Sequence, residues 1–276
     1  MSEPPESSRD ATSSTIADFG DQWTRFQDNS GYYGSRGLFE DIVGPVIDAD
    51  EIAGRRVADI GSGSGRIVEM LLSEGAAQVA ALEPSRACEV LVTRFADRQD
   101  RVTVHQVRGE GIAALGPFDL VFSIGVLHHI PDPAPVVAAA FDALKPGGRM
   151  VVWLYGLEGN RGYLTIALPL RTVTRRMPDR VLDAMVRVLD VPLCVYMAAC
   201  RFIPLPMHGY MRQHLARLAP DKRRLTIFDQ LNPTHAKYYS QEEARALLAE
   251  AGFVDVKTHH RHGYSWTVVG SKPAKS

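Results

Sequence analysis

From Val57 to Arg66 the chain reads Val-Ala-Asp-Ile-Gly-Ser-Gly-Ser-Gly-Arg, and no other stretch limits its fold as tightly. An apolar run of strand length ends in an acid. Glycine then recurs at every second position (Gly61, Gly63, Gly65), and a helix-forming sequence follows. Glycine lets the backbone turn sharply and approach a ligand closely. The helix start beyond it offers unpaired N–H groups and a positive dipole end. A strand, a glycine turn and a helix in this order belong to an α/β domain. Such a turn binds a nucleoside-bearing cofactor.

The spacing excludes two common phosphate loops. A dinucleotide fingerprint, G-x-G-x-x-G, would need its third glycine where Arg66 stands. The G-x-x-x-x-G-K-S/T loop is absent, because no Lys-Ser or Lys-Thr follows. Asp59 adds a charge argument: a carboxylate there repels a pyrophosphate and attracts a cation.

Downstream, strands and helices alternate. Ile67 to Glu74 reads as a helix and Gln78 to Leu82 as a second strand ending at Glu83. Arg86 to Arg98 reads as a helix, Val102 to Val107 as a third strand and Phe118 to Ile124 as a fourth. Asp132 and Pro133 suit the start of a helix running to Leu144. Lys145-Pro146-Gly147-Gly148 stops it, and Arg149 to Tyr155 reads as a fifth strand. A capping box at Ser240 to Glu243 opens a helix to Ala251; Phe253 to Thr258 and Ser265 to Val269 close the pattern as two strands. The prediction is a doubly wound α/β fold, with a mostly parallel seven-stranded sheet and helices on both faces. Residues 52–156 and 239–276 form this core. Residues 157–238, with amphipathic patches and repeated prolines, form a helical insertion after strand five, placed over the sheet's carboxyl edge.

The flanks are read from composition. Residues 1–16 are polar and rich in Ser and Pro, without the charge and apolar regions of a signal peptide, and are expected to be disordered. No apolar run is long enough for a membrane span. Cys88, Cys194 and Cys200 lack metal-site spacing, which suits a reduced, cytoplasmic setting. The net charge of −1 carries no global nucleic-acid signature. Charge is uneven, however: residues 1–54 hold eleven acids and three bases, and residues 160–224 hold twelve bases and four acids. An anionic substrate, an acidic arm facing a basic cap, and mere solvated faces all remain open.

Five segments in order resemble the class I S-adenosylmethionine (SAM) dependent methyltransferases of small molecules. They are the glycine turn; Ala81-Leu82-Glu83-Pro84-Ser85; Arg108-Gly109-Glu110-Gly111-Ile112; Phe118 through Ile130; and Leu144-Lys145-Pro146-Gly147-Gly148. The resemblance implies SAM as methyl donor, S-adenosylhomocysteine as product, and no metal. It implies cofactor contacts at Asp59, Gly61, Ser62, Gly63, Gly65, Glu83, Pro84, Glu110, Gly111, Ile112, Ile124 and Gly125. Glu83 would grip both ribose hydroxyls. Glu110 would meet the adenine amino group, Ile112 would pack on the ring and the Gly111 N–H would serve a ring nitrogen. Asp59 and the backbone near Ile124 and Gly125 would hold the methionine end. Residues 17–51 would fold as helices over the cofactor as a lid.

Methyl transfer asks the protein mainly for in-line positioning, plus deprotonation where the acceptor is a hydroxyl. His128 and His129, just past strand four, are candidate bases. Tyr32, Tyr33, Tyr155 and His235 are candidates for the acceptor pocket. Arg171, Arg175, Arg176 and Arg180 are candidates for holding a carboxylate or phosphate on the acceptor. His259, His260 and His262 are expected in a solvated turn. The leading expectation is transfer to a small, partly hydrophobic and anionic acceptor, at oxygen, with the insertion as substrate cap and candidate homodimer interface. The absence of a D/N-P-P-Y/F sequence after Ser123 argues against methylation of DNA bases. RNA modification through Lys222-Arg223-Arg224 and the basic insertion, and a non-catalytic scaffold, are the alternatives.

Overall fold

The structure, a computed structural model, describes residues 6–232 and 235–274. Strands β1 (Arg56–Ile60), β2 (Gln78–Leu82), β3 (Val102–His105), β4 (Phe118–Ile124), β5 (Leu144–Tyr155), β6 (Val254–Arg261) and β7 (Ser265–Ser271) form one sheet. Its order is β3-β2-β1-β4-β5-β7-β6. The first five strands run parallel, and β7 lies antiparallel between β5 and β6. The order reverses beside β1, so the carboxyl ends of β1 and β4 open a crevice where such sheets bind ligands.

The strands read as continuous apolar runs because both faces are covered. Alternate side chains enter opposite cores: Val57 and Val151 one, Ala58 and Val152 the other. Helices α2 (Arg36–Val43) and α3 (Arg66–Ser73) contribute to the first core. Helices α5 (Ala134–Ala143) and α10 (Gln241–Ala249) contribute to the second, with α4 (Cys88–Arg94) on the side of α3. The capping box forms as predicted: Ser240 accepts from the Glu243 amide and Glu243 accepts from the Ser240 amide.

Several boundaries shift by a few residues from the sequence reading, and two differences are larger. Strand β5 begins at Leu144, and the Lys145-Pro146-Gly147-Gly148 turn is a bulge within it, where the register slips between Phe118 and Leu120 of β4. Helix α1 (Glu6–Arg25) begins within the segment that composition marks as a tail, and its later part lies across the sheet's carboxyl edge. Composition favoured a tail because the helix has almost no apolar stripe until Ile16, Phe19 and Trp23. Residues 1–5 lie outside the described residues.

The insertion leaves and returns at one point. Gly156 bridges Tyr239, and the Tyr239 amide donates to the Tyr155 carbonyl at 2.8 Å. Between them lie α6 (Arg161–Thr174), α7 (Asp179–Ala199), α8 (His208–Gln213) and α9 (Pro220–Leu231). Leu182, Val186, Phe228 and Leu231 join α7 to α9. A buried Asp190 accepts from Arg223 Nε at 2.5 Å and Arg224 Nε at 3.1 Å. Lys222, 4% exposed, binds Asp28 at 3.0 Å, and Arg25 pairs with Asp183. The Lys222-Arg223-Arg224 cluster thus ties the insertion to itself and to the N-terminal segment.

Candidate active site

The glycine turn is fixed by geometry that a side chain would break. Gly61 has φ +77°, and a Cβ there would lie 2.5 Å from Val126. Its amide and that of Ser62 donate to the Leu82 carbonyl, bending the turn toward β2. Gly65, φ +87°, caps α3. At the tip of β2 Glu83 is 5% exposed; its carboxylate accepts from the Gly63 amide at 2.9 Å and the Ser85 amide at 3.0 Å. Each oxygen keeps a further lone pair for a ligand.

These groups wall a first cavity. Gly61, Ser62, Gly63, Glu83, Pro84, Glu110, Ile124 and Gly125 line it, and Thr12, Thr15, Ile16, Phe19 and Trp23 of α1 roof it. The N-terminal helix therefore covers the expected cofactor position. Four expected contacts lie elsewhere. Ile112 is fully buried in the core under α5, and Ile130 and Val126 face the cavity instead. The Gly111 amide is used by the Arg108 carbonyl at 2.9 Å in a 3-10 turn. Gly65 sits one turn back, at the helix cap. Asp59, 1% exposed, lies behind the turn; its Oδ2 has no partner, and burial pushes its carboxyl up to about 7.

A second cavity of about 360 Å³ adjoins the first. Phe19, Trp23, Arg66, Ile124, Gly125 and His129 line both. His129 Nδ1 lies 2.7 Å from the His235 carbonyl, which only accepts, so in the neutral ring Nε2 carries the lone pair. Burial lowers its pKa to about 4, so the ring is neutral near pH 7. His128 faces neither cavity. It is fully buried, 3.9 Å from the Tyr155 ring in a stack, and burial holds it well below the usual imidazole range. Of the two candidate bases, then, only His129 meets a ligand space.

Tyr33 and Tyr155 line the second cavity as expected. Tyr32 and His235 do not. Tyr32 lies under Arg217, 3.8 Å away, and His235 contributes its carbonyl to His129. Sequence reading missed Tyr163, Tyr210, Tyr264, His214 and Asp229, all on the wall. The Arg171 cluster does not reach it. Arg171 donates to the Gln230 carbonyl and the Tyr238 hydroxyl, each at 3.0 Å, and Arg175, Arg176 and Arg180 lie on the outer surface. The basic residues facing the cavity are Arg66 and Arg261, the latter paired with Asp41. His259, His260 and His262 occupy strand β6 and the residue after it: His260 stacks on Trp266 at 4.1 Å, and His262 binds Asp41 at 2.6 Å. Among the described residues no cluster of three metal-ligating side chains forms.

The profile of a family described as "Methyltransferase domain" matches residues 46–258. The chain is 32% identical over 130 residues to a ubiquinone biosynthesis O-methyltransferase of Aromatoleum aromaticum, a match covering 46% of this chain and 55% of that one. It is 32% identical over 122 residues to a tRNA U34 carboxymethyltransferase of Pseudoalteromonas translucida, covering 44% and 37%. The chain thus spans about half or less of these relatives. Among solved structures, human N-acetylserotonin methyltransferase in complex with SAM aligns at TM-score 0.55 and 13% identity, covering 93% of this chain and 56% of that one. Magnesium protoporphyrin IX methyltransferase of Synechocystis with bound S-adenosylhomocysteine aligns at TM-score 0.50 and 15% identity, covering 91% and 93%. No described helix is long and apolar enough to cross a membrane.

Proposed function

The chain belongs to the methyltransferase-domain family; from that premise we propose that it is a SAM-dependent methyltransferase and that it methylates an oxygen of a small, largely hydrophobic acceptor in the second cavity. The observation that carries this reading is the junction of the two cavities at His129. About 360 Å³ of space walled by Tyr33, Trp153, Tyr155, Tyr163 and Tyr210 has the size and lining of a small-molecule pocket.

Bound SAM supplies a methyl group already activated on a sulfonium. The chain's own residues fit that group: the Glu83 carboxylate is buried at the cavity wall with lone pairs to spare for two hydroxyls. We assign Ser62, Gly63, Ile124 and Gly125 to the rest of the cofactor. Glu110 and Pro84 border it, and the roof of α1 keeps water out. His129, its ring fixed by the bond to the His235 carbonyl, packs against the acceptor at the junction and sets its line of approach. Oxygen as acceptor atom agrees with the O-methyltransferase activity in the name of the ubiquinone-pathway relative. The internal pairing of Lys222, Arg223 and Arg224 speaks against an RNA acceptor.

The insertion also offers a dimer surface. On α7, Val181, Val188, Val191 and Val195 are 52%, 71%, 67% and 68% exposed. Their spacing of seven, three and four residues is that of a coiled-coil seam, which suits a helix of a second copy.

The test is transfer of labelled methyl from SAM to a panel of phenols and catechols, and in parallel to bulk tRNA. Ether products with unlabelled tRNA are expected. Labelled tRNA with no small-molecule product overturns the assignment.

A further inference from the structure

Asp229 lies in the last turn of α9, where its buried neighbours Leu225, Phe228 and Leu231 are apolar. It is the one carboxylic acid among the described residues that line the second cavity. Its Oδ1 is buried without a hydrogen-bond partner. Gln22 of α1 lies beside the carboxyl, yet Gln22 Nε2 closes no well-formed hydrogen bond either. A buried polar group of this kind is costly unless something pairs with it. A ligand in the cavity is the partner that its position allows.

Asp229 shares the wall of the second cavity with His129, which stands at the junction. Arg66 of α3, which lines both cavities, and the rings of Tyr33 and Tyr155 lie within electrostatic reach. Tyr155 in turn stands edge-on to His129 with ring centroids 5.6 Å apart. We propose that Asp229 is a catalytic residue, the group that takes the proton from the acceptor hydroxyl as its oxygen attacks the methyl carbon. The inference rests on the oxygen-acceptor reading above. The O–H bond breaks and its proton passes to Asp229 Oδ1. The oxygen bonds to the methyl carbon, the electron pair of the carbon–sulfur bond stays with sulfur, and the proton leaves to water after release.

Other groups on the wall are poorly matched to this task. Burial holds His129 at about 4 and His214 well below the imidazole range. Burial raises Tyr33, Tyr155, Tyr163, Tyr210, Tyr238 and Tyr264, so they keep their protons. Asp229 is pushed up to about 7, against the pull of Gln22 and Arg66, which gives it proton affinity in the working range of a base.

The experiment has two readouts on the full chain. In infrared difference titration of the S-adenosylhomocysteine complex, protonated-carboxyl absorption is expected to be lost as pH rises through about 7, with contributions from Asp59 and Asp229, and the Asp229 part is expected to be missing in Asp229→Asn and the whole signal in Asp229→Asn with Asp59→Asn. Methylation of catechol by Asp229→Asn is expected to fall about 100-fold in kcat, with S-adenosylhomocysteine affinity unchanged. Most of that loss is expected to disappear with nitrocatechol, whose hydroxyl ionises without help. Asp229→Glu is expected to restore part of the pH dependence. A carboxyl signal undiminished in Asp229→Asn, or an equal loss on both catechols, overturns the role of Asp229 and leaves the methyltransferase reading standing. Methylation of neither catechol, with S-adenosylhomocysteine still bound, overturns the oxygen-acceptor reading and this role with it.

Discussion

Glu83→Ala should separate the cofactor grip from the rest of the fold. In the structure the carboxylate already accepts two backbone amides, from Gly63 and Ser85, at 2.9 and 3.0 Å. A bound ribose adds two hydroxyl donors to the same oxygens. Each hydrogen bond to a charged group contributes about 1.5–3 kcal/mol. Losing both ribose bonds, with water returning as partial replacement, costs about 3 kcal/mol of binding, or roughly 100-fold in Kd. The assay is thermal unfolding with S-adenosylhomocysteine at about a hundred times the parent's Kd. The parent gains about 2.7 kcal/mol from the ligand, and a variant with Kd raised 100-fold gains about 0.4 kcal/mol. At about 2 °C per kcal/mol for a chain of this size, the shift falls from about 5 °C to under about 1 °C. The unliganded variant will also melt lower, because two amides lose their acceptor, so the comparison is of ligand-induced shifts. A folded Glu83→Ala protein with the parent's shift would refute the ribose assignment.

Three further outcomes are expected. His129→Ala should lower kcat about 100-fold through misplacement of the acceptor, with a smaller loss of S-adenosylhomocysteine affinity because the ring lines both cavities; His128→Ala, which removes a fully buried ring stacked on Tyr155, should instead destabilise the fold by about 2–4 kcal/mol in urea titration. Asp59 holds its proton to about 7 when folded but to the ordinary 3.8 when unfolded. The native state thus binds the extra proton between those values, and the ligand-free enzyme loses stability as pH rises through that window, up to about 4 kcal/mol. Asp59→Asn should therefore exceed the parent's stability at pH 8 and match it near pH 4, as read by denaturant midpoints. If the proposed α7 dimer forms, light scattering gives the parent twice the chain mass, and Val188→Asp with Val191→Asp should return it to one chain mass without lowering the melting temperature at low concentration; a parent of single-chain mass, or a double mass kept in the variant, removes α7 as the interface.

The core was legible because each of its elements carries a local signal. The glycine turn, the alternating apolar strands and the capping box at Ser240 are all written within ten residues of themselves, and each stands where it was expected. The turn before β5 was seen, but its absorption into the strand as a bulge was not, since that depends on pairing with Phe118 and Leu120 far away. Helix α1 was hidden for a different reason. Its polar residues gave it the composition of a tail, and only docking on the sheet edge through Ile16, Phe19 and Trp23 gives it something to bury. Similarly, the arginines of the insertion looked like ligand-binding charge until Arg171 was found serving Gln230 and Tyr238.

The division runs through the site itself. The cofactor side is built from one βαβ unit and its neighbours, so its residues keep fixed positions relative to the sheet and fixed spacing in sequence. The acceptor side draws Phe19 from α1, Tyr155 from β5, Tyr163 from α6, Tyr210 from α8, Asp229 from α9 and Tyr264 from the last hairpin. No spacing rule joins residues separated by more than 200 positions, and none of them is unusual in its own segment. Asp229 becomes conspicuous only when its surroundings are known, because an aspartate late in a polar helix is ordinary until its carboxyl proves to be buried and unpaired. The same construction has a functional consequence. Because the insertion starts and ends at the adjacent residues Gly156 and Tyr239, its helices can change the acceptor wall while the sheet and the Glu83 grip stay in place. Substitutions at Tyr163 or Tyr210 should therefore alter acceptor KM and leave S-adenosylhomocysteine affinity untouched, whereas substitutions at Phe19 or Trp23, which line both cavities, should alter both.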